Sequence, residues 1–164
     1  MTVGDLVIDI VELRRHTGTR RELARTVQLD DLAVGDTSVV NGHLDLDLVV
    51  EAATEGIVAY GTMGLVVRGP CRRCLSDVDT PVEVALQEVF EAHPTEGETW
   101  PIDDERIDLA PVVREAALLS FPLVPLCADD CAGPEPERFP TGPAEEAESA
   151  RDPRWAALDD LDLT

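Results

Sequence analysis

The four cysteines occur in two close pairs, which constrain the fold more than any other feature of the sequence. Cys71 and Cys74 form a C-x2-C motif, and Cys127 and Cys131 form a C-x3-C motif. No cysteine lies outside these pairs, and residues 75–126 separate them. Two such turns are typical of a tetrahedral zinc site, in which each turn presents two thiolates. The spacing predicts a structural zinc ion that ties the middle of the chain to its last third.

Other states of the same four thiols stay open at this level. They could be reduced and free of metal, or they could form disulfides in one of three pairings. A thioredoxin-like redox motif is disfavoured because its C-x-x-C follows a strand, opens a helix and stands without a second pair. A catalytic zinc site is also disfavoured, because such sites keep one position open and recruit histidine or carboxylate.

The sequence lacks the features of an enzyme or of a membrane protein. His16, His43 and His93 are scattered, and neither a glycine-rich phosphate loop nor a nucleophile elbow is present. We therefore predict no catalytic residues. The first 18 residues lack the pattern of a secretory signal, and no apolar run reaches the roughly 18 residues of a membrane span. These features predict a cytoplasmic protein, and a reducing compartment favours metal over disulfide.

The chain is strongly acidic, with a net charge of −21 over 164 residues. Such a field repels phosphate backbones at long range and attracts basic partners. Direct contact with RNA would therefore require a local patch of arginines, and replacing Arg72 and Arg73 by alanine should then flatten the salt dependence of binding. The residues predicted for that patch are Arg14, Arg15, Arg20, Arg21, Arg68, Arg72 and Arg73.

Periodicity predicts a mainly β, α+β fold. Residues 5–13 are apolar and β-branched, and residues 43–50 alternate between apolar and polar side chains, so both segments are predicted strands. Residues 57–67 should form a hairpin with the preceding strand, with Gly61 and Gly64 marking a bulge or close packing. Pro70 should end that strand before Cys71. After the first cysteine pair, residues 78–86 should return as another strand, and residues 92–106 form an acidic connection.

From Asp108 onward the period becomes helical. Residues 109–120 place apolar side chains on one stripe, Asp108 can cap the helix, and Pro111 is tolerated in the first turn. The resulting architecture is an antiparallel sheet or partly open barrel with one packed helix and a two-knuckle cysteine cluster. Residues 1–133 would form the domain, and the proline- and glutamate-rich residues 134–150 a disordered linker. Residues 151–164 would form a short terminal helix.

The order of these motifs resembles a known family. The glycine-punctuated strand leading to R-G-P-C-R-R-C-L, the helix leading to P-L-C-A-D-D-C-A-G, and the terminal D-P-R-W-A-A-L are similar to the bacterial YceD family, the large ribosomal RNA subunit accumulation proteins. The specific part of the resemblance runs from about Gly61 to Gly133. The matched positions are Cys71, Arg73, Cys74, Leu75, Pro125, Cys127, Cys131 and Gly133.

The resemblance implies a non-catalytic role in the accumulation or processing of large-subunit ribosomal RNA, with either RNA or a basic ribosomal protein as partner. The family resemblance favours RNA or ribonucleoprotein contact, whereas the net charge favours a basic protein. A redox-responsive zinc-binding adaptor outside ribosome assembly is the alternative, and it would require thiolates that oxidise reversibly.

Overall fold

The computed structural model describes residues 6–139. The chain divides into two units, Met1–Cys131 and Ala132–Thr164. The predicted terminal helix and most of the predicted linker lie outside the described residues. In the described part of the second unit, the N–H groups of Arg138 and Phe139 donate to the carbonyl oxygen of Glu135, which makes a local turn.

Over residues 6–131, the first unit consists of eight strands, a short 3-10 turn at Leu13–Arg15 and one α-helix. The elements are β1 (Val7–Asp9), β2 (Arg20–Gln28), β3 (Ala33–Val34), β4 (Thr37–Ala52), β5 (Ile57–Pro70), β6 (Asp77–Glu91), β7 (Trp100–Pro101), β8 (Arg106–Asp108) and α1 (Ala110–Leu119). Three long strands dominate the unit: parts of β4 and β6 alternate between apolar and polar side chains, whereas β5 is mainly apolar.

The main sheet is open, with the strand order β2-β4-β5-β6-β7, and β3 pairs with the beginning of β4. All of its pairings are antiparallel except that of β6 with β7, which is parallel. β1 and β8 form a separate antiparallel pair. Of the two predicted architectures, the open antiparallel sheet with one packed helix is therefore the one that the chain adopts.

One face of the main sheet carries the hydrophobic core. Leu44, Leu48 and Met63 on the long strands are almost completely buried, and they belong to the same cluster as Leu6 and Ile8 of the N-terminal segment. The helix contributes three buried side chains to that cluster: Val112, Val113 and Ala117. The N-terminal segment, the β1–β8 pair and α1 thus cover one face of the sheet, which we call the inner face. The opposite, outer face carries mostly exposed or partly exposed side chains.

The predicted long strands and the helix are confirmed, although their ends move. The strand predicted at residues 43–50 extends over Thr37–Ala52, and it forms the expected hairpin with Ile57–Pro70. Pro70 is the last residue of its strand, as predicted. The helix begins two residues after Asp108, whose carboxylate accepts a hydrogen bond from the N–H of Ala110 at 2.8 Å.

Three expectations need correction. The strand predicted for residues 5–13 is limited to Val7–Asp9, because the chain turns into the 3-10 segment. The acidic connection predicted for residues 92–106 contains β7, where Trp100 pairs with Phe90. The arginine-rich segment that forms β2 was not predicted as a strand, because only Leu23 and Val27 mark its buried side.

Of the three glycines in β5, Gly61 and Gly64 differ in how closely the backbone of β4 approaches them. Gly61 has a φ of +145°, and a side chain there would overlap the carbonyl oxygen of Asp47 and lie 2.9 Å from the Cα atom of Leu48. Gly64 would meet only the Cβ atom of Asp45, at 3.9 Å. The predicted close packing is therefore found at Gly61. The register irregularity of this hairpin lies instead between Val39 and Leu44 on β4.

Among the described residues, no helix has the length and apolar character needed to cross a membrane.

Candidate metal centre

The first knuckle follows directly from the end of β5. Cys71 is completely buried beside Pro70, and its N–H donates to the carbonyl oxygen of Ser76 at 2.8 Å. The N–H of Leu75 donates back to the carbonyl oxygen of Cys71 at 3.0 Å, which closes the turn. Leu75 adopts a φ of +64°, a conformation that costs a non-glycine residue free energy. Both sulfurs of the C-x2-C motif are thereby presented at one end of the β5–β6 hairpin.

The second knuckle is held against the first by arginines and by the main chain. The N–H of Arg72 donates to the carbonyl oxygen of Pro125 at 2.9 Å, and its Nε donates to that of Leu123 at 3.1 Å. Arg73 donates from one terminal nitrogen to the carbonyl oxygens of Asp129 and Cys131, both at 3.0 Å. The segment that leaves α1 is consequently bound to the turn that leaves β5.

The four sulfur atoms converge, as the sequence spacing predicts. All four lie within 4.8 Å of one another. The Sγ atoms of Cys71 and Cys131 are 3.9 Å apart, and those of Cys74 and Cys127 are 3.6 Å apart. A zinc–sulfur bond of about 2.3 Å places tetrahedral ligands about 3.8 Å from each other. Disulfide bonding would require about 2.05 Å, and all four cysteines are free.

The local electrostatics favour the thiolate form of Cys71 and Cys74 and oppose that of Cys127. N–H groups of Cys74, Arg73 and Cys127 point at the sulfur of Cys71 and lower its pKa to about 6. Hydrogen bonds from the side chain and backbone of Ser76 lower the pKa of Cys74. The sulfurs of Cys131, Cys74 and Cys71 raise the pKa of Cys127 to about 12. A divalent cation bound by the sulfurs would favour the thiolate form of Cys127 as well, so the donor set fits a soft metal ion.

Sequence reasoning did not find all of the contacts that support the cluster. Arg72 and Arg73 place positive charge beside the thiolates, as their position in the turn indicates, but their hydrogen bonds also join the two knuckles. Sequence reasoning did not single out Ser76, although a donor two residues after the second cysteine of a C-x2-C turn is a signal that could have been used. Leu123 had no such signal, because only its carbonyl oxygen is involved.

Replacing Arg73 by alanine should loosen the cluster. The variant loses both hydrogen bonds to the second knuckle, so we expect destabilisation of about 1 kcal/mol and faster transfer of metal to a colorimetric chelator. Arg21→Ala is the matched control, because Arg21 is an exposed arginine on β2 and its removal changes the net charge equally. Equal rates of metal transfer from the two variants would show that Arg73 has no supporting role.

The other arginines of the predicted patch are spread over the surface, and several are neutralised. Arg68 forms two hydrogen bonds of 2.6 Å with the carboxylate of Asp79, which lower the pKa of that carboxyl. Arg14 pairs with Glu105, and Arg15 pairs with Glu12, each at 2.9 Å. Arg20 and Arg21 lie on the edge strand β2.

Within the described residues, the cysteine cluster is the one group of metal-ligating side chains close enough to hold an ion. His16, His43 and His93 take no part in it. Fold and site together define a mainly β protein with one packed helix and a four-cysteine cluster compatible with metal binding.

Comparison with known proteins extends this description. The family model described as "Large ribosomal RNA subunit accumulation protein YceD" matches residues 59–162. An uncharacterized protein of Mycobacterium tuberculosis, Rv2926c, is 36% identical over 170 residues, which cover 93% of this chain and 79% of the relative. The uncharacterized protein YlbN of Bacillus subtilis is 32% identical over 100 residues, 56% of this chain and 58% of the relative. No solved structure matches.

The chain therefore belongs to the YceD family, as its motifs predicted. The matched region contains all four cysteines together with β6, β7, β8 and α1. The family description names accumulation of large-subunit ribosomal RNA and no enzymatic reaction.

Proposed function

We propose that this protein is a non-catalytic factor that supports the accumulation or processing of large-subunit ribosomal RNA in the cytoplasm, by binding RNA or a ribosomal protein. Membership of the YceD family is the observation that carries this proposal. The described site supports it, because a cluster of four thiols with no nearby histidine or carboxylate ligand suits a structural metal better than a catalytic one.

We infer that the ion is zinc, held by Cys71, Cys74, Cys127 and Cys131. When bound, it would supply a cross-link between the knuckles. The protein's own part is to orient the thiolates, through the N–H groups of the first turn and the guanidinium of Arg73. Four thiolates and one divalent cation leave a net negative charge, which Arg72 and Arg73 partly offset.

The distribution of charged residues distinguishes two ways in which a partner could bind. If RNA is contacted directly, Arg20 and Arg21 on the edge strand are better candidates than Arg68, whose charge Asp79 already neutralises. Arg72 and Arg73 would have to serve RNA and the cluster together, so their alanine variants test both roles at once. A basic ribosomal protein needs no such arginines and is attracted by the net charge of −21.

The function can be tested in the source bacterium. Removing the gene should lower the ratio of large-subunit to small-subunit ribosomal RNA, and the wild-type gene should restore it. A Cys71→Ser/Cys74→Ser double variant should restore it poorly, because the knuckles then lose the metal that would cross-link them. An unchanged ratio in the deletion strain would contradict the proposed function, whatever the protein binds in solution.

A redox-responsive zinc adaptor is the second candidate, and the exposure of Cys127 favours it. Peroxide would then oxidise two thiolates to a disulfide and would itself be reduced to water. The loss of two ligands would release the metal, and a thiol reductant would restore the thiolates. Titration with peroxide, followed by zinc release and by mass spectrometry, separates the two candidates. Retention of zinc until the protein unfolds would eliminate the adaptor.

A further inference from the structure

The outer face of the main sheet has no covering element among the described residues. Alternation along the long strands places Asp45 and Asp47 of β4, Gly64 of β5 and Glu83 of β6 on this face. Antiparallel sheets bury one face and leave the other solvated, so exposure alone indicates nothing. The shape and the charge of this face are more informative than its exposure.

A trough crosses the middle of the outer face. Thr26, Asp45, Gly64 and Glu83 are direct neighbours on four adjacent strands, so the row has no side chain at its third position. The next row consists of Ala24, Asp47, Thr62 and Ala85, whose uncharged members are all small. Two open depressions of about 520 and 490 Å³ meet here and share Asp45, Gly64 and Glu83.

The walls of the trough are acidic at one end and apolar at the other. Val66 and Pro81, which pair across β5 and β6, line the first depression together with His43. Asp45, Asp47 and Glu83 line the second depression, which the edge strand β2 borders at Ala24, Arg25 and Thr26. Asp45 accepts a hydrogen bond of 2.6 Å from the hydroxyl of Thr26, which fixes its carboxylate at the rim.

The combination of acidic and apolar walls restricts the kind of ligand that the trough can bind. An inorganic cation is a poor fit, because within the described residues only the cysteines form a group of ligands close enough for one ion. Phosphate groups of RNA would be repelled by Asp45, Asp47 and Glu83. A lysine or arginine side chain fits both ends, since its aliphatic stem can lie on Val66 and Pro81 while its charged head reaches the carboxylates.

We propose that the outer-face trough, defined by Asp45, Asp47, Gly64, Val66, Pro81 and Glu83, binds an extended basic segment of a protein partner. From Thr62 to Val66 the trough runs for about 13 Å, which matches about four residues of extended chain. The proposal rests on the proposed function only in identifying that partner as a ribosomal protein. According to this proposal, the protein acts by binding a basic polypeptide rather than RNA.

The test uses the full chain and a fluorescent probe peptide, Gly-Arg-Ala-Lys-Ala-Arg-Gly. Asp45→Asn/Asp47→Asn/Glu83→Gln removes three charges from the trough, and Asp45→Asn preserves the acceptor for Thr26. Asp36→Asn/Glu55→Gln/Glu96→Gln is the matched control, because it removes three exposed charges from loops elsewhere. We expect the trough variant to bind the peptide about tenfold more weakly than wild type, and the control to bind nearly as wild type.

A second variant tests shape without changing charge. Gly64→Val fills the trough, and the space above Gly64 allows it without backbone overlap. It should weaken peptide binding by a similar factor while the melting temperature is maintained or raised. A difference of less than about threefold between the trough variant and its control, or normal binding by Gly64→Val, would overturn the proposal.

A third binding experiment identifies the class of partner. Basic large-subunit ribosomal proteins should bind to the wild-type protein and should no longer bind to the trough variant. Single-stranded RNA should bind to neither protein. RNA binding that the trough variant abolishes would overturn the proposal. Normal peptide binding by the trough variant, together with a low ratio of large-subunit RNA in the deletion strain, would reject the trough and leave the proposed function standing.

Discussion

Cys127→Ser is expected to lower the melting temperature by about 10 °C and to abolish stoichiometric zinc binding. An ion present at a thousand times its dissociation constant stabilises the folded state by about 4 kcal/mol, and in a chain of this size 1 kcal/mol corresponds to about 2–4 °C. Cys127 is exposed, so replacing its sulfur removes a ligand without leaving a cavity in the core. Elemental analysis and thermal unfolding, both under reducing conditions, measure the two effects.

The chelator experiment provides the control for this prediction. A strong chelator should destabilise wild type by as much as the substitution does, and it should leave the melting temperature of Cys127→Ser unchanged. Wild type purified under reducing conditions should contain about one zinc per chain. If it contains no metal, or if the chelator acts equally on both proteins, the cluster is not a structural metal site.

Gly61→Ala is expected to destabilise the protein by about 3 kcal/mol or more, because its Cβ atom would collide with the backbone of β4. Flexible side chains can move away from such an overlap, but the carbonyl of Asp47 belongs to the pairing of β4 with β5. The φ of +145° adds further strain for any residue other than glycine. Denaturant unfolding measures the difference.

Gly64→Ala is the matched control for that experiment. It makes the same chemical change three residues away on the same strand, but its Cβ atom meets only Asp45 at 3.9 Å. The expected change is between zero and a gain of about 1 kcal/mol. Similar losses of stability in both variants would mean that glycine is required for a reason other than close backbone approach at Gly61.

What could be predicted from the sequence depended on the strength of the local pattern. Residues 43–48 alternate between polar and apolar side chains, and residues 57–67 form an apolar segment with two glycines, so these strands were predicted correctly. The spacing of the cysteine pairs likewise predicted that the four sulfurs converge. β2 was missed because its exposed edge carries Arg20, Arg21 and Glu22, and its pairing with β4 is decided by tertiary contacts. The same limit applies to β7, a strand of two residues.

The hydrogen bonds of Arg72 and Arg73 could not be predicted from the sequence for a related reason. When only charge is considered, two arginines inside a C-x2-C turn suggest contacts with phosphates or compensation of the thiolate charge. Their acceptors are the main-chain carbonyls of Leu123, Asp129 and Cys131, which lie more than 50 residues away in the chain. Carbonyl acceptors leave no trace in the pattern of side chains, so this arrangement becomes visible only in three dimensions.

The pairing of β1 with β8 has a consequence for synthesis of the protein. Ile8 lies opposite Ile107, and the N–H of Leu109 donates to the carbonyl oxygen of Leu6, so β1 is completed by a strand that is made much later. Translation at about 5–20 residues per second separates these partners by roughly 5 to 20 seconds. Throughout that interval β1 lacks its paired strand, and the core can close only after α1 has left the ribosomal exit tunnel.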